Sequence, residues 1–552
     1  MKNLFNIKIY IRAGFLLAHI ILLSSTSYCQ YHQEWLKRFN SGNQVFGACG
    51  NKIAIDNNGN IYVAGFVNGE TNTNDYALVK YTSSGQQIWA RTYNGTGNSY
   101  DIVYSLALDN LNNVYITGSS TGSGTALDCV TIKYDTSGNL IWLKSYDYGV
   151  NKNEYGRVIK CFNNFVYVCA LSINANDKNN FLLIKYDTAG NQLWTKRYFD
   201  IDDDPQNMVL DRFGNIYITG TSFTMGYGFD FGIVKYNPDG NIIWETRFDN
   251  NNGNSDGPTS IAIDSLDNIC ITGHTINRFN YYTDIMTVKY DSSGILKWSK
   301  VIHRNSSTCD DNPQCIGIDK RNNIYVAGYI SESGFNNVNY VTIKYKPNGD
   351  TSWVRVYNGP GDNYDVANSL AIDNRCNVFV TGESYGSGTN LDYFTIAYDT
   401  TGYAFWSDRY GVPGNQADQS KFITLDNSGN IYITGSSYSS SLLTDILTIK
   451  YSNTIGIREL NQNVPADYKL FQNYPNPFNP STKISLKIIK SGLVTLKIYD
   501  ICGREITTIL NERKSPGLYE VSFDGSDLPS GIYFYKLIIN NFTDTKKMIL
   551  LK

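Results

Sequence analysis

The stretch IAIDNNGNIYVAG, from Ile53 to Gly65, decides the fold because it returns along most of the chain. Seven copies are close to one another, and a degenerate eighth, VIKCFNNFVYVCA, has Cys161 in the position of the Asp. An internal period of this kind indicates a repeat architecture. The eight copies span residues 53–65, 106–118, 158–170, 208–220, 261–273, 316–328, 370–382 and 423–435.

A second repeated string carries every tryptophan of the chain. DCVTIKYDTSGNLIWLKSY, at 128–146, is an example, and its tryptophan recurs at intervals of 50 to 55 residues. The eight tryptophans are Trp35, Trp89, Trp142, Trp194, Trp244, Trp298, Trp353 and Trp406.

Each unit contains four short runs with alternating apolar residues, which we predict to be strands A to D. Between A and B the string DNNGN, and between C and D the string DTSGN, supply a glycine for a left-handed position and so predict bulged hairpins. Tandem four-stranded antiparallel sheets at this period predict an all-β fold, a β-propeller.

The ends of the repeat region predict how the propeller closes. The last unit has no tryptophan strand, and an orphan tryptophan strand, EWLKRF at 34–39, precedes the first complete unit. We therefore expect the N-terminal strand to complete the last blade and to leave no exposed sheet edge. Eight strands of each type favour eight blades, and seven is the alternative if the Cys161 unit is not a true blade.

These strings resemble the bacterial SBBP (beta-propeller) repeat proteins. The resemblance covers residues 30–453 and rests on DNNGNIYVAG and TIKYDTSGNLIW. The family's name refers to seven blades, so a count of eight departs from it. The resemblance implies an architecture and no shared activity.

Residues 1–29 are predicted to be a secretory signal peptide. Lys2, Lys8 and Arg12 precede a short apolar run at 13–23, and small residues place the cleavage after Cys29. No later segment has eighteen continuous apolar residues, so no transmembrane segment is expected in the mature chain. The ten cysteines are scattered, and only Cys309 and Cys315 lie close enough within one loop to be considered a pair.

The C-terminal region differs from the repeats. Residues 454–469 read as a linker, and the alternating runs of 470–552 predict a small Ig-like β-sandwich. This region resembles the type A C-terminal sorting domain of the type IX (Por) secretion system, through YDICGRE at 499–505, LPSGIYFYKL at 528–537 and the terminal 546–552. That resemblance implies recognition by the outer-membrane secretion machinery. Its sorting motif is Tyr474, Pro475, Asn476, Pro477, Phe478, Asn479 and Pro480.

No catalytic constellation stands out, and no catalytic residue is predicted. The four histidines lie far apart, and His274 is expected to be a solvated loop residue. Glycine-rich strings such as NGTGNSYD (94–101) lead into strands and lack a phosphate-loop lysine, and no EF-hand spacing occurs. No cofactor is predicted, with calcium as the alternative. A net charge of −3 gives no reason to expect a nucleic-acid partner.

Acidic residues recur eight positions before the strand-A Asp. They are Asp101, Asp203, Asp256, Asp311, Asp365 and Asp418, and the two remaining units have Ala48 and Asn153. A second set begins strand C, at Asp75, Asp128, Asp230, Asp284, Asp392 and Asp445. Either they accept backbone N–H bonds within repeated loops, or they bind a cation at the channel mouth. Both sets are placed on the face formed by the D–A and B–C loops, called the loop face below.

The D–A loops also vary in length, whereas strand-A Asp and tryptophan are always 33 or 34 residues apart. Variable loops on a rigid scaffold favour a binding face. The residues predicted to bind are the six Asp of the ring together with Tyr100 and Tyr364; Tyr155, Tyr227, Tyr281, Tyr282 and Tyr385 are further aromatic residues placed there. The sequence thus predicts a secreted or cell-surface propeller that binds a protein or glycan. The alternative is a secreted polysaccharide-active hydrolase or lyase that uses loop-face carboxylates.

Overall fold

The structure is a computed structural model. It describes residues 30–40, 42, 47–69, 73–149, 151–198, 202–224, 228–250, 255–276, 281–302, 310–331, 337–412, 416–439, 443–454, 458–461, 468–514, 516–540 and 542–552. The predicted signal peptide, Tyr227, His303 and Cys309 lie outside these residues. The chain divides into two compact units, one at Tyr31–Asn453 and the other containing Thr454–Lys552.

All regular structure among the described residues is β, which confirms the all-β prediction. No helix in this part of the chain has the length and apolar character needed to span a membrane. The forty strands are numbered β1 to β40 in chain order.

Strands of the first unit follow the predicted order A to D in each repeat. Strand A is β2 (Cys49–Ile55), β6 (Asp101–Leu108), β10 (Glu154–Phe162), β14 (Asp203–Leu210), β18 (Asp256–Ile263), β22 (Asn312–Ile318), β26 (Asp365–Ile372) and β30 (Gln419–Leu425). Strand B is β3 (Ile61–Asn68), β7 (Val114–Thr121), β11 (Phe165–Ile173), β15 (Ile216–Thr224), β19 (Ile269–Ile276), β23 (Ile324–Ser331), β27 (Val378–Tyr385) and β31 (Ile431–Tyr438).

The outer two strands of each repeat complete the set. Strand C is β4 (Asn74–Tyr81), β8 (Leu127–Tyr134), β12 (Asn179–Asp187), β16 (Gly228–Tyr236), β20 (Thr283–Tyr290), β24 (Val338–Tyr345), β28 (Leu391–Tyr398) and β32 (Thr444–Thr454). Strand D is β5 (Gln87–Tyr93), β9 (Leu140–Tyr146), β13 (Gln192–Tyr198), β17 (Ile242–Phe248), β21 (Leu296–Ile302), β25 (Thr351–Tyr357) and β29 (Ala404–Tyr410), with β1 (Gln30–Phe39) beside β32.

These strands form eight four-stranded sheets in the described part of the unit. Seven sheets use four consecutive strands, and the eighth has the order β1-β32-β31-β30. Each strand A contacts the strand A of the next sheet, and β30 contacts β2. The innermost strands therefore follow one another in a closed ring.

The hairpin turns follow the chemistry of the repeat. In the first sheet Asp56 Oδ1 accepts hydrogen bonds from the backbone N–H groups of Asn58 (2.9 Å) and Asn60 (2.8 Å). Gly59 has a φ of 78°, in the left-handed region that favours glycine. The local sequence alone therefore fixes these turns, as predicted.

Neighbouring sheets are joined by a tryptophan and a lysine that share one acceptor. The carbonyl of Thr136, in the next C–D turn, accepts from Trp89 Nε1 (3.2 Å) and from Lys80 Nζ (2.8 Å). The same pairing of tryptophan and lysine recurs at the carbonyls of Ser83, Thr188, Ser292, Pro347 and Thr400. Where Ala397 replaces the lysine, Trp406 Nε1 donates to the carbonyl of Tyr31, in the N-terminal strand (3.1 Å). The repeated tryptophan is thus a contact between sheets.

The C-terminal unit consists of two four-stranded sheets around one apolar core. Within the segment predicted as a linker, β33 (Arg458–Asn461) forms and pairs with β38. One sheet has the order β33-β38-β35-β34 and the other β37-β36-β39-β40. The remaining strands are β34 (Lys469–Leu470), β35 (Ser481–Ile488), β36 (Gly492–Tyr499), β37 (Glu505–Lys514), β38 (Gly517–Asp524), β39 (Gly531–Ile539) and β40 (Phe542–Leu550).

Candidate functional site

The six ring acids lie at the start of strand A, and their side chains are buried. Asp101, Asp203, Asp256 and Asp365 are the first residues of β6, β14, β18 and β26, and all four are fully buried. Asp311 and Asp418 directly precede β22 and β30 and are also buried. They share one end of the ring of innermost strands.

Two of these carboxylates, those of Asp101 and Asp365, connect a D–A loop to the end of strand B through backbone hydrogen bonds. Asp101 accepts from the N–H of Gly95 (2.7 Å) and of Thr121 (3.0 Å). Asp365 accepts from Gly359 (2.6 Å) and Tyr385 (3.1 Å). Because these bonds hold the loop over the carboxylate, we call the arrangement the Asp clasp. Asp418 likewise accepts from the backbone N–H groups of Val412 and Tyr438. Asp256 accepts from the N–H of Asn250, and Asp311 accepts from that of Ser331.

Burial changes the acidity of these groups. It raises the pKa of Asp101, Asp256, Asp365 and Asp418 above the ordinary value, although N–H donors oppose the shift. The pKa of Asp203 rises to about 6, because burial and the nearby Asp202 outweigh the hydrogen bonds from Ser222 and Phe223.

The seventh member of the ring is Glu154, which counting along the sequence missed. Glu154 pairs with Ser172 as Asp101 pairs with Ser120. Cys161 pairs with Val166 as Leu108 pairs with Val114, so Phe162 occupies the position of the strand-A Asp and the placement of Cys161 there was wrong. The cause is the shorter turn at Asn163 and Asn164, both with positive φ, which shifts the count by one residue and replaces Asn153 by Glu154.

The described tyrosines predicted on the loop face are either exposed or half-buried, and Tyr155, Tyr282 and Tyr385 are half-buried. Tyr100 is 55% exposed and Tyr364 is 38% exposed, next to the clasp residues Asp101 and Asp365. Tyr281 is also exposed. His274, expected in a loop, lies instead within β19, and burial lowers its pKa.

A cavity of about 540 Å³ opens on the loop face between the first and eighth sheets. It lies at Ala48, the ring position without an acid, and among the described residues Lys421 is the one charged residue that lines it. Lys421 Nζ is 3.9 Å from Glu383. A smaller cavity of about 110 Å³ lies on the opposite face, among A–B turns. The larger cavity is lined by Gly47, Ala48, Cys49, Asn51, Phe66, Asn74, Ala417, Gln419, Lys421, Ser436, Tyr438 and Thr444.

The clasp also shapes this cavity. Asp418 Oδ2 accepts from Val412 N (2.7 Å), and Asp418 Oδ1 accepts from Tyr438 N (2.9 Å), so it fixes the backbone that carries Tyr438. Amide, hydroxyl, phenol and ammonium groups line this cavity together with apolar residues such as Phe66, as in ligand sites that place a few polar groups in an apolar wall. No carboxylate belongs to this lining among the residues that the structure describes.

The motif Tyr474–Pro480 is hydrogen-bonded to the end of the chain, at Ile549 and Leu551. Phe478 is buried; its N–H donates to Ile549 O (2.9 Å), and its carbonyl accepts from Leu551 N (2.9 Å). Asn476 Oδ1 accepts from the N–H of Ile549 (2.9 Å), while Tyr474 is exposed. The motif thus joins the entry of this unit to its final strand.

Comparison with protein families supports both predicted resemblances. Residues 472–551 match the family described as "Secretion system C-terminal sorting domain". Segments 88–124, 200–222 and 406–442 match "Beta-propeller repeat". The chain therefore carries SBBP β-propeller repeats and a C-terminal sorting domain of type IX secretion. This domain indicates an interaction with the type IX machinery and export, with secretion or attachment at the cell surface.

More distant similarities are to β-propeller proteins and to a lyase. An uncharacterized WD repeat-containing protein of Acanthamoeba polyphaga mimivirus is 24% identical over 510 residues, covering 70% of this chain and 35% of the relative. The chain thus spans about a third of the length of the curated relative it matches.

Two solved structures are similar to this chain at low TM-score. The WD40 domain of SCAP from fission yeast has a TM-score of 0.43 at 9% identity, over 76% of this chain and 98% of that one. The polysaccharide lyase Uly1 has a TM-score of 0.42 at 10% identity, over 75% and 93%. At these TM-scores neither structure bears on what this chain binds.

Proposed function

We propose that this chain is an exported binding protein that recognises a protein or glycan through the cavity on its loop face. The observation that carries the proposal is the cavity of about 540 Å³ beside Ala48, which is lined by both polar and apolar residues and by Lys421. Three amides, from Asn51, Asn74 and Gln419, and the hydroxyl groups of Ser436 and Thr444 offer both donors and acceptors. Such a lining favours a hydroxyl-rich ligand, and therefore a glycan.

The proposal includes an eight-bladed propeller closed by the N-terminal strand. Its support is the sheet order β1-β32-β31-β30 and the closed series of contacts between strands A. Polar contacts reinforce the junction: Arg38 lies 3.3 Å from Asp445, and Lys450 lies 2.8 Å from Glu34. Closure matters for function because the cavity lies between the sheet that β1 completes and the first sheet.

The proposal also includes the domain order predicted from the sequence and the export route that this order implies. We place a signal peptide at 1–29, the propeller at 30–453, a linker at 454–469 and an Ig-like sorting domain at 470–552. Export through the periplasm would then deliver the propeller to the outer cell surface or the medium, where a glycan or protein ligand is accessible.

Within the loop face, the ring acids and the tyrosines have different proposed roles. The carboxylates of Asp101, Asp365 and Asp418 are buried under their loops, so we assign them to holding those loops in place. Tyr100 and Tyr364 are exposed beside two of these clasps and offer rings on which a sugar can stack.

Glycan and protein arrays probed with the full-length chain test the proposal. Variants Tyr438→Ala and Lys421→Gln alter the cavity lining and are expected to weaken binding of any hit by about 5- to 150-fold, since each removes a polar contact worth roughly 1–3 kcal/mol. Leu111→Ala is the matched control, because Leu111 is exposed on an A–B turn of the opposite face.

Binding that persists in both cavity variants, or that falls equally in Leu111→Ala, would contradict recognition at this cavity. A hydrolase or lyase is the less supported alternative, because the described residues that line the cavity do not include an acid–base pair of carboxylates.

A further inference from the structure

Three positions of the repeat come together at two of the contacts between consecutive sheets on the loop face. They are the first acid of strand C, the residue that follows strand D, and the ring residue that begins strand A of the next sheet. At both of these junctions all three residues are acidic. The first triad is Asp128, Asp147 and Glu154, and the second is Asp230, Asp249 and Asp256.

The carboxylates of each triad converge. Within each triad one carboxylate oxygen per residue can be chosen so that all three lie within 4.8 Å of one another. Two ligands of one Ca²⁺ ion at the usual distance of about 2.4 Å are at most about 4.8 Å apart, so each pair of these oxygens is within the separation that one ion can span. Magnesium, with ligands at about 2.1 Å, requires a tighter group of oxygens.

Buried oxygens without a partner provide the second observation. Asp230 is 3% exposed, and among the described residues its Oδ1 has no hydrogen-bond partner. Asp128 is 7% exposed and Glu154 is fully buried. Asp128 Oδ1 and Glu154 Oε2 likewise have no hydrogen-bond partner among the described residues. A buried carboxylate oxygen that lacks a donor is costly, so a cation bound beside these three oxygens would stabilise them.

At two equivalent junctions an arginine lies beside the strand-C acid, and in the second triad Arg247 holds the strand position of Arg409. The strand-C acid Asp392 lies 3.0 Å from Arg409 Nη1, and Asp445 lies 3.3 Å from Arg38 Nη1. In the first triad Ser145 occupies the position of Arg409, and its hydroxyl donates to Asp128 (3.2 Å) without bringing charge. Arg197 acts on Glu154 from the next sheet and lowers its pKa, but less strongly than burial raises it.

We propose that the two triads are calcium sites that pin neighbouring sheets together on the loop face. Each ion would join the C strand and the D–A loop of one sheet to the A strand of the next. The sites would be equivalent by the repeat symmetry, one between the second and third sheets and one between the fourth and fifth.

Calorimetric titration of the full-length, chelator-treated chain with CaCl₂ tests the proposal. We expect two calcium ions per chain and weaker binding of MgCl₂. Asp147→Asn and Asp249→Asn, at the two loop positions, should each lower the affinity of one site at least about tenfold and leave the other.

Asp392→Asn is the matched control, because it changes the same strand position at a junction where an arginine is the partner. It should retain both calcium ions, with circular dichroism showing that all variants are folded. No calcium binding at millimolar CaCl₂ would overturn the proposal. Two sites unchanged in both Asp147→Asn and Asp249→Asn would overturn it equally.

Discussion

Two glycine substitutions in the first sheet measure how tightly the N-terminal strand is held. Gly85, in the C–D turn, has a φ of 82°, and a Cβ there would lie 2.7 Å from Cδ2 of Trp35. Gly59, in the A–B turn, has a φ of 78°, but its nearest atom would be Ser83 Cβ at 3.8 Å. Gly85→Ala and Gly59→Ala therefore impose the same backbone strain, and only the first displaces a tryptophan.

The magnitudes follow from these contacts. An alanine in the left-handed region costs about 1–2 kcal/mol at either position. Gly85→Ala adds about 1–3 kcal/mol of overpacking against Trp35. It also weakens the 3.0 Å bond from Trp35 Nε1 to Ser83 O, worth about 1 kcal/mol. The expected loss of unfolding free energy is thus about 1–2 kcal/mol for Gly59→Ala and about 3–6 kcal/mol for Gly85→Ala.

Thermal unfolding followed by circular dichroism distinguishes the two substitutions. For a unit of about 420 residues, 1 kcal/mol corresponds to about 1 °C in Tm. Gly138→Ala places a Cβ 2.8 Å from Trp89, which belongs to a sheet of four consecutive strands rather than to the N-terminal strand. It should lower Tm by as much as Gly85→Ala does. Equal shifts for Gly85→Ala and Gly59→Ala would refute the reasoning, because Trp35 and its strand would then not pack against the first sheet.

Three further predictions test the clasp, its acidity and the sorting unit. Asp418→Ala should destabilise the propeller by about 1–3 kcal/mol in urea unfolding, since it leaves the buried N–H groups of Val412 and Tyr438 without their acceptor. The folded-state pKa of Asp203, about 6, exceeds the ordinary 3.8, so its contribution to stability is present below pH 4 and is lost as pH rises through 6. Asp203→Asn should therefore gain stability relative to the unsubstituted protein between pH 4 and pH 7 in urea unfolding, and a constant difference would contradict the shift. Tyr535→Phe removes the acceptor of Asn473 N (2.7 Å) and the donor to Phe471 O (2.9 Å). It should increase proteolysis of the C-terminal unit, whereas unchanged proteolysis would contradict this role for the hydroxyl.

The architecture was predictable because the repeat encodes both the strands and their contacts. The string DNNGN contains the turn acceptor Asp56 and the left-handed Gly59, and both act locally as expected. The tryptophan period predicted the length of the repeat but not the hydrogen-bond partner of the indole. For Trp89 that partner is the carbonyl of Thr136, 47 residues further along the chain. That contact depends on how sheets are stacked, which no local pattern specifies.

The site was less predictable, since it depends on register and on what covers a side chain. Counting identified six ring acids but not that the loops carrying Gly95 and Gly359 would bury them. Glu154 was missed because a turn shorter by one residue moved the count. The triads combine positions from two successive repeats, so that each acid is visible in the sequence while their meeting is not.

The two faces of the propeller differ because they are stabilised in different ways. On the face of the A–B and C–D turns, side chains cross between sheets: Trp89 and Lys80 both bind the carbonyl of Thr136, and Gly138 must lack a side chain to admit the indole. Substitutions there break contacts between sheets. On the loop face, buried acids such as Asp101 and Asp365 hold the loops through backbone N–H groups, so the loop side chains can change without loss of the fold. Variation is therefore tolerated on the side that holds the large cavity, and a ligand should be sought there.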